Sequence, residues 1–432
     1  MKLATQANTE EQLENICEFE KIGNSEFKLD GFMPNYIVKP STSGEVAKIL
    51  KLANDNNKAL AVIGYGTKFN RGAPLEKLDW VLQTTSLKSE PILNTDDLIV
   101  KTKAGVSLNE LQNYLEKQGL FLPIDVGNYE STVGGLLGIG SGSSQRLEYV
   151  LMKDFVLGLK VALPDGRIYK FGGTTVKNVA GYDMAKLFIG SRGTLGVITD
   201  VCFRVYALPP GSRVFVAILK NKEDLFNIFN QIRKLMPAIL EVYDLSIIKD
   251  VLKSEAITQK GYALLIKFTG PVPAVEKKYE EALEIIKNKD YSCLIITDVD
   301  DQSIWKSRAQ YFEKNVEKEK DEITRLKIIM PPQKVLEVTN KVEDLLETNN
   351  IIPERLYMPY SGIAYYNISN VLSEKLVDEI KNIVSSKKSI LILEEGPLDL
   401  RKVFYSQPED HWNLKIKKFF DPNNILNAGK RP

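Results

Sequence analysis

Three glycine-rich stretches offer the most legible chemistry in this chain. Gly64-Tyr65-Gly66-Thr67-Lys68 comes directly after the apolar run Leu60-Ala-Val62-Ile63, at the C-terminal end of an expected buried strand. A diphosphate needs several backbone N–H groups converging on its oxygens, and a Cβ would obstruct that approach. Thr67 adds a hydroxyl and Lys68 a charge. Position 69 is Phe where a GxGxxG fingerprint needs glycine, and the Walker A spacing is absent, so alone this loop is equally a tight turn. The second stretch runs from Thr132-Val-Gly134-Gly135 through Gly138, Gly140, Ser141 and Gly142. So many glycines are costly in backbone entropy. The cost makes sense where a long, flat ligand lies against the main chain. The third, Gly190-Ser-Arg-Gly193-Thr-Leu-Gly196-Val-Ile198-Thr199, sets another glycine pair before a buried strand. Together they look like parts of one elongated site.

Acid–base and metal chemistry have few candidates. The chain holds three cysteines (Cys17, Cys202, Cys293), far apart and without a CxxC pair, and one histidine, His411. The cysteine spacing argues against a disulfide framework and a four-cysteine iron–sulfur centre, the single histidine removes a multi-histidine zinc site, and no metal site is expected. Cys202 falls in the alternation Val201-Cys-Phe-Arg-Val205 and reads as a small core residue. Redox chemistry would therefore need a bound cofactor.

The elements that must position these loops follow from periodicity. Thr42-Ser-Gly-Glu45 and Ser107-Leu-Asn-Glu110 are capping-box patterns opening two helices, the second stopping near Gly119. Strands are expected at 60–63, 98–103, 155–163, 167–171 and 197–205, with Pro164-Asp-Gly166 turning one hairpin. Pro209-Pro210-Gly211 marks a boundary. Beyond it strands and helices alternate, including strands at 214–219, 263–268, 323–330, 355–367 and 390–393, several of them polar/apolar in alternation. That pattern predicts an antiparallel sheet with helices on one face. The fold class is α+β: an N-terminal appendage (1–31), a first domain (32–209), a second α+β domain (210–410) and a C-terminal segment (411–432).

Lys plus Arg number 57 and Asp plus Glu 56, so the near-zero balance argues against a nucleic-acid partner. No apolar run reaches the roughly 18–20 residues of a membrane span. The N-terminus lacks a signal-peptide core, and a cytoplasmic location is expected, reaching the inner face of a membrane only through partners.

In combination, GYGT (64–67), TVGG (132–135), KDFVLG (153–158), PDG (164–166), KNVAGYD (177–183) and GTLGVIT (193–199) resemble the two-lobed FAD-binding domain of the vanillyl-alcohol-oxidase, or PCMH-type, flavoproteins. KDFVLG and KNVAGYD resemble in particular the FAD-binding E subunit of glycolate dehydrogenase. Phe420-Asp-Pro-Asn-Asn-Ile-Leu-Asn427-Ala-Gly-Lys430 is similar to the closing signature of those enzymes, with Ala428 where proline is usual. The resemblance implies FAD as cofactor and a cap domain after residue 209. Val62 to Lys68 would wrap the pyrophosphate, and Thr132 to Gly142 would run beside the ribityl chain and ring. Ile198, next to Gly196, would meet the adenine side with its backbone, and Gly193 and Gly196 are further cofactor-binding positions. Lys177 and Asn178 would lie near the flavin, and Asn427 would return the C-terminus to the ring. Many members link FAD through His or Cys in these loops; neither occurs here, so the FAD is expected to be non-covalent. Hydroxyacid-oxidising paralogues carry a His-rich metal motif in the cap, whereas Ser361-Gly-Ile-Ala-Tyr-Tyr366 reads as a plain strand.

The implied reaction is oxidation of a small 2-hydroxy acid, glycolate or D-lactate. It needs a base for the hydroxyl proton and a cation for the carboxylate. His411 is the histidine available as base, with a surface or packing role as the competing reading. Arg325, in Thr324-Arg-Leu-Lys327, is the candidate carboxylate clamp, its competing reading a solvent-facing charge. The resemblance further implies a paralogous flavin subunit and an iron–sulfur subunit as partners. Two other functions stay open: a self-sufficient FAD-dependent alcohol oxidase or dehydrogenase, and an electron-transfer or assembly subunit with no substrate of its own.

Overall fold

The computed structural model describes residues 9–23, 27–124, 130–140, 144–149, 151–173, 182–252, 261–287, 294–296, 304, 323–369, 371–406 and 411–431. Ser141, Gly142, Lys177 and Asn178 lie outside them.

The first half builds two sheets around one core. β1 (Glu18–Lys21), β2 (Tyr36–Lys39), β3 (Leu60–Ile63) and β4 (Trp80–Gln83) form a sheet in the order β1-β2-β4-β3, parallel except where β1 runs against β2. The parallel crossover is made by helix Ser43–Asp55. Thr42 caps that helix by accepting from the Glu45 N–H, while Val46, Ile49, Leu50 and Ala53 face inward. β5 (Ile92–Asn94), β6 (Ile99–Lys103), β8 (Val156–Ala162), β9 (Ile168–Gly172) and β10 (Val197–Arg204) make an antiparallel sheet in the order β5-β6-β10-β8-β9. A small pair, β7 (Leu120–Phe121) and β11 (Tyr206–Ala207), stands beside it. The turn between β8 and β9 uses Gly166 at φ +82°, as Pro-Asp-Gly requires. Helix Leu108–Glu116 carries the full capping box of Ser107 and Glu110. Helix Val133–Ile139 packs Val133, Leu136 and Leu137 into the same core.

The second half is one antiparallel sheet. Its strands are β12 (Gly211–Leu219), β13 (Ile239–Asp244), β14 (Tyr262–Gly270), β15 (Leu294–Ile296), β16 (Thr324–Ile329), β17 (Glu354–Met358), β18 (Ile363–Ile368) and β19 (Ile390–Glu395). The order is β15-β12-β14-β13-β17-β18-β16-β19. Phe215, Ala217 and Leu219 of β12 pack with helices Lys222–Ile232 and Val272–Lys287 on one face. Val214, Val216 and Ile218 share a second core with helix Leu245–Leu252 on the other. This strand is therefore buried on both sides, and the sheet carries helical cover on both faces rather than on one.

Two readings from periodicity are corrected. Residues 355–367 are not one strand. A turn at Pro359–Ser361 and Gly362 at φ +64° fold them into the β17–β18 hairpin, apolar on both arms and so continuous by eye. Nor do the described residues of 1–31 hang free: β1 extends the first sheet, Leu13 is fully buried and Asp30 lies beneath both Arg401 and Lys430.

Candidate functional site

The three glycine loops converge on one cleft. The walls include Val62, Gly64, Tyr65, Gly66, Thr67 and Lys68 from the end of β3. Thr132, Gly134, Gly135 and Gly138 come from the short helix, Gly193, Gly196 and Ile198 from the approach to β10, and Asn427 from the tail. These predicted positions are thus brought together.

The glycines divide by what they face. A Cβ on Gly64 would strike the Thr132 side chain at 2.2 Å, and one on Gly196 would meet Val161 at 2.6 Å, so both permit close packing of the protein on itself. Gly66, at φ +75°, has nothing within 4 Å of that position. Gly138 has only the Gly193 amide nitrogen, at 3.9 Å. There the backbone is open to an occupant. Gly140 is a correction: it ends the helix at φ +68°, with a Cβ position 3.0 Å from Gly190 Cα, and shapes the loop without lining the cleft.

Asn427 joins two walls. Its Oδ1 accepts from the Val62 N–H (2.8 Å), its Nδ2 donates to the Arg192 carbonyl (2.6 Å), and its φ of +44° is one asparagine tolerates. Asp421 holds the tail in place by accepting from the Ile425 and Leu426 N–H groups, and Lys417 ties Asp421 to the Thr194 and Leu426 carbonyls.

Sequence reasoning missed the cations at one end of the cleft. Arg71, Arg192 and Lys430 line it there, and no carboxylate stands among the described lining residues. Lys430 donates to Asp30 Oδ2 (3.0 Å) and the Phe69 carbonyl (2.7 Å), and Asp30 also holds Arg401 (2.8 Å). Burial pushes Lys430 down to about 8, and Asp30 only partly restores it. Burial pushes Asp30 up, but Lys430 and Arg401 outweigh it and keep the carboxyl below its usual value. Lys430 was legible as part of the closing signature; nothing in the spacing marked Arg71 or Arg192.

Neither proposed catalytic residue lines the cleft. Arg325 is buried rather than solvent-facing. Its Nε donates to Asn367 Oδ1 (2.7 Å) and its Nη1 to Glu395 Oε1 (2.9 Å), and Glu395 also holds Arg71 Nε at 2.6 Å. It stands one residue behind the cleft wall. His411 opens the exposed helix His411–Phe420, its ring against Trp412; of that helix's apolar residues Ile416 and Phe420 pack against the core. Cys202 is buried in β10, and burial pushes its thiol up. Ser361 to Tyr366 pass through the β17–β18 turn into β18. Among the described residues, no group of three or more His, Cys, Asp and Glu could hold a metal, and no helix is long and apolar enough to cross a membrane.

A long cleft walled by open backbone and bordered by cations defines a protein that holds an extended anionic cofactor. The chain belongs to the FAD-linked oxidase family: residues 34–172 match its FAD binding domain and residues 208–369 the C-terminal domain of FAD linked oxidases. It is an FAD-dependent oxidoreductase of PCMH-type fold. D-lactate dehydrogenase of Archaeoglobus fulgidus is 30% identical over 414 residues, 91% of this chain and 90% of that protein. The glycolate oxidase subunit GlcD of Bacillus subtilis is 30% identical over 264 residues, 60% of this chain and 56% of its own. Among solved structures, p-cresol methylhydroxylase has a TM-score of 0.74 at 15% identity, covering 97% of this chain and 92% of its own. For 4-ethylphenol oxidase from Gulosibacter chungangensis the TM-score is 0.75 at 13% identity, with 98% and 96% covered. These two likenesses concern the fold alone.

Proposed function

We propose that this chain is the FAD-binding subunit of a 2-hydroxy acid dehydrogenase acting on D-lactate or glycolate, with electrons leaving to an iron–sulfur subunit and a paralogous flavin subunit. The observation that carries the reading is the cleft itself, glycine-walled and cationic, in a chain similar over nine-tenths of its length to a D-lactate dehydrogenase. FAD, held without a covalent bond, supplies the hydride acceptor. Gly66 and Gly138 would give it backbone to lie on, Lys68 and the 64–68 amides would hold its phosphates, and Asn427 fixes the two walls. The cations at the far end attract an anionic substrate, and the Arg325–Glu395–Arg71 relay keeps Arg71 at the wall. Burial pushes Glu394 up, but Lys327, Arg71, Arg325 and Arg192 outweigh it and keep that carboxyl below its usual range. Trp412, Leu414 and Phe419, exposed on the tail helix, offer an apolar face to a partner subunit.

The test is anaerobic mixing of the purified, FAD-loaded chain with D-lactate, L-lactate and glycolate, following the visible flavin band. Little bleaching is expected from the chain alone, and full bleaching once the paralogous subunit is added. Oxygen-driven turnover by the isolated chain would favour a self-sufficient oxidase. No bleaching in the assembled complex would leave an electron-transfer or assembly subunit.

A further inference from the structure

The cations around the cap-side end of the cleft are matched to carboxylates, with one exception. Arg71 and Arg325 share Glu395, Lys327 pairs with Glu394, and Arg401 and Lys430 share Asp30. Arg192 has no carboxylate partner among the described residues; its Nη1 donates to the Arg71 carbonyl at 3.1 Å. Burial lowers its affinity for its proton, and the like charges of Arg71 and Arg401 add to this against Tyr405 and Glu394. Such a desolvated cation is costly to keep. Yet the backbone makes two accommodations for it. Arg192 itself stands at φ +53°, where few side-chain-bearing residues go. Gly72 leaves the space its guanidinium fills: a Cβ there would lie 3.1 Å from both Cζ and Nη1.

Its position narrows the ligand. Gly72 donates its N–H to the carbonyl of Glu394 in β19 (2.8 Å), so Arg192 lines the cleft at its seam with the cap sheet. We propose that Arg192 is the carboxylate-recognition residue of this site, gripping the carboxylate of a 2-hydroxy acid in a two-pronged fork, with Arg71 as the positioning residue beneath it. The inference rests on the hydroxy acid reading above and assigns to Arg192 the role that Arg325, behind the wall, cannot take. The FAD phosphates are the other source of the same anionic chemistry.

The experiment uses FAD-loaded wild type, Arg192→Lys and Arg192→Met, with oxalate as a carboxylate probe that cannot be oxidised. FAD per polypeptide, far-UV circular dichroism and the flavin spectrum during oxalate titration are recorded. Expected are unchanged FAD content, oxalate binding weakened about 30-fold or more in Arg192→Met, and a smaller loss in Arg192→Lys. In the assembled complex KM for the hydroxy acid should rise more than kcat falls. Equal oxalate binding by wild type and Arg192→Met would overturn the assignment and leave the hydroxy acid reading standing. Loss of FAD from both variants would overturn it in favour of the cofactor phosphates. A wild-type flavin blind to oxalate and to every hydroxy acid would remove the broader reading, and this one with it. Should Arg192→Met fail to fold, Arg192→Lys and Arg192→Gln carry the same comparison.

Discussion

Asp30→Asn should cost this protein more stability at pH 6 than at pH 8.5. Asp30 is one carboxylate serving two cations, Arg401 and Lys430, with all three side chains at most 4% exposed. It also accepts from the Leu75 N–H at 2.9 Å, a bond an asparagine Oδ1 can keep. Removing the charge leaves two cations buried together, a change worth about 3–5 kcal/mol. Lys430 can relieve this by releasing its proton. In the wild type its folded pKa is about 8, below the ordinary 10.5 of the unfolded chain. A lowered lysine means that the unfolded state binds more protons between those values, so the wild type gains stability as pH rises from about 8. In the variant Lys430 falls further, and the corresponding gain starts at lower pH. The difference between the two proteins therefore shrinks as pH rises towards 8 and is level above it. Asp30 itself, lowered in the fold, contributes fully across this whole range, because its contribution is lost only in acid. Urea unfolding of FAD-free protein followed by tryptophan fluorescence at pH 6 and pH 8.5 measures both costs. A cost below about 1 kcal/mol, or one that grows with pH, refutes the shared-charge account.

Gly138→Val should abolish FAD binding with little change in fold, since its Cβ position is open to the cleft and valine is no worse than glycine in a helix; flavin absorbance per polypeptide and far-UV circular dichroism check it, and full occupancy would refute it. Asn427→Ala should cost about 2–4 kcal/mol, from two lost hydrogen bonds and a left-handed alanine, and should loosen FAD, as urea midpoints and dialysis against apoprotein would show.

What the sequence revealed were features written in consecutive residues. The capping box at Ser107, the Thr42 cap, the Pro-Asp-Gly hairpin and the glycine loops each declare themselves within a few positions. Thr42 caps its helix as expected, but Glu45 closes on the Ser41 N–H rather than completing a box with Thr42. The loops' convergence was legible because glycine in such density has few uses apart from close approach. What was hidden is long-range. Asp30 is a plain acid in a polar segment until the fold brings it 371 residues along the chain to Arg401. Arg71 and Arg192 sit in loops already noticed for their glycines, but no spacing tells that one meets Glu395 and the other no carboxylate among the described residues. Arg325 was singled out for its residue type on an alternating strand; its burial against Asn367 and Glu395 depends on β18 and β19 as neighbours, which alternation cannot name.

The N-terminal segment and the tail predict that cofactor binding and folding are coupled. Asn427 and Lys430 are walls of the cleft and are at the same time anchors of the tail, one through Val62 and the Arg192 carbonyl, the other through Asp30 and the Phe69 carbonyl. Phe69 and Arg71 belong to the loop that follows the 64–68 turn, and Gly72 ties that loop to β19. A ligand in the cleft therefore touches the residues that join the N-terminal segment, the tail and the cap sheet. Whatever it gains by contact with them is withheld from the unfolded chain, where no such surface exists, and so adds to stability in proportion to its binding free energy. The surplus positive charge at this end follows the same logic. An anionic occupant would offset it.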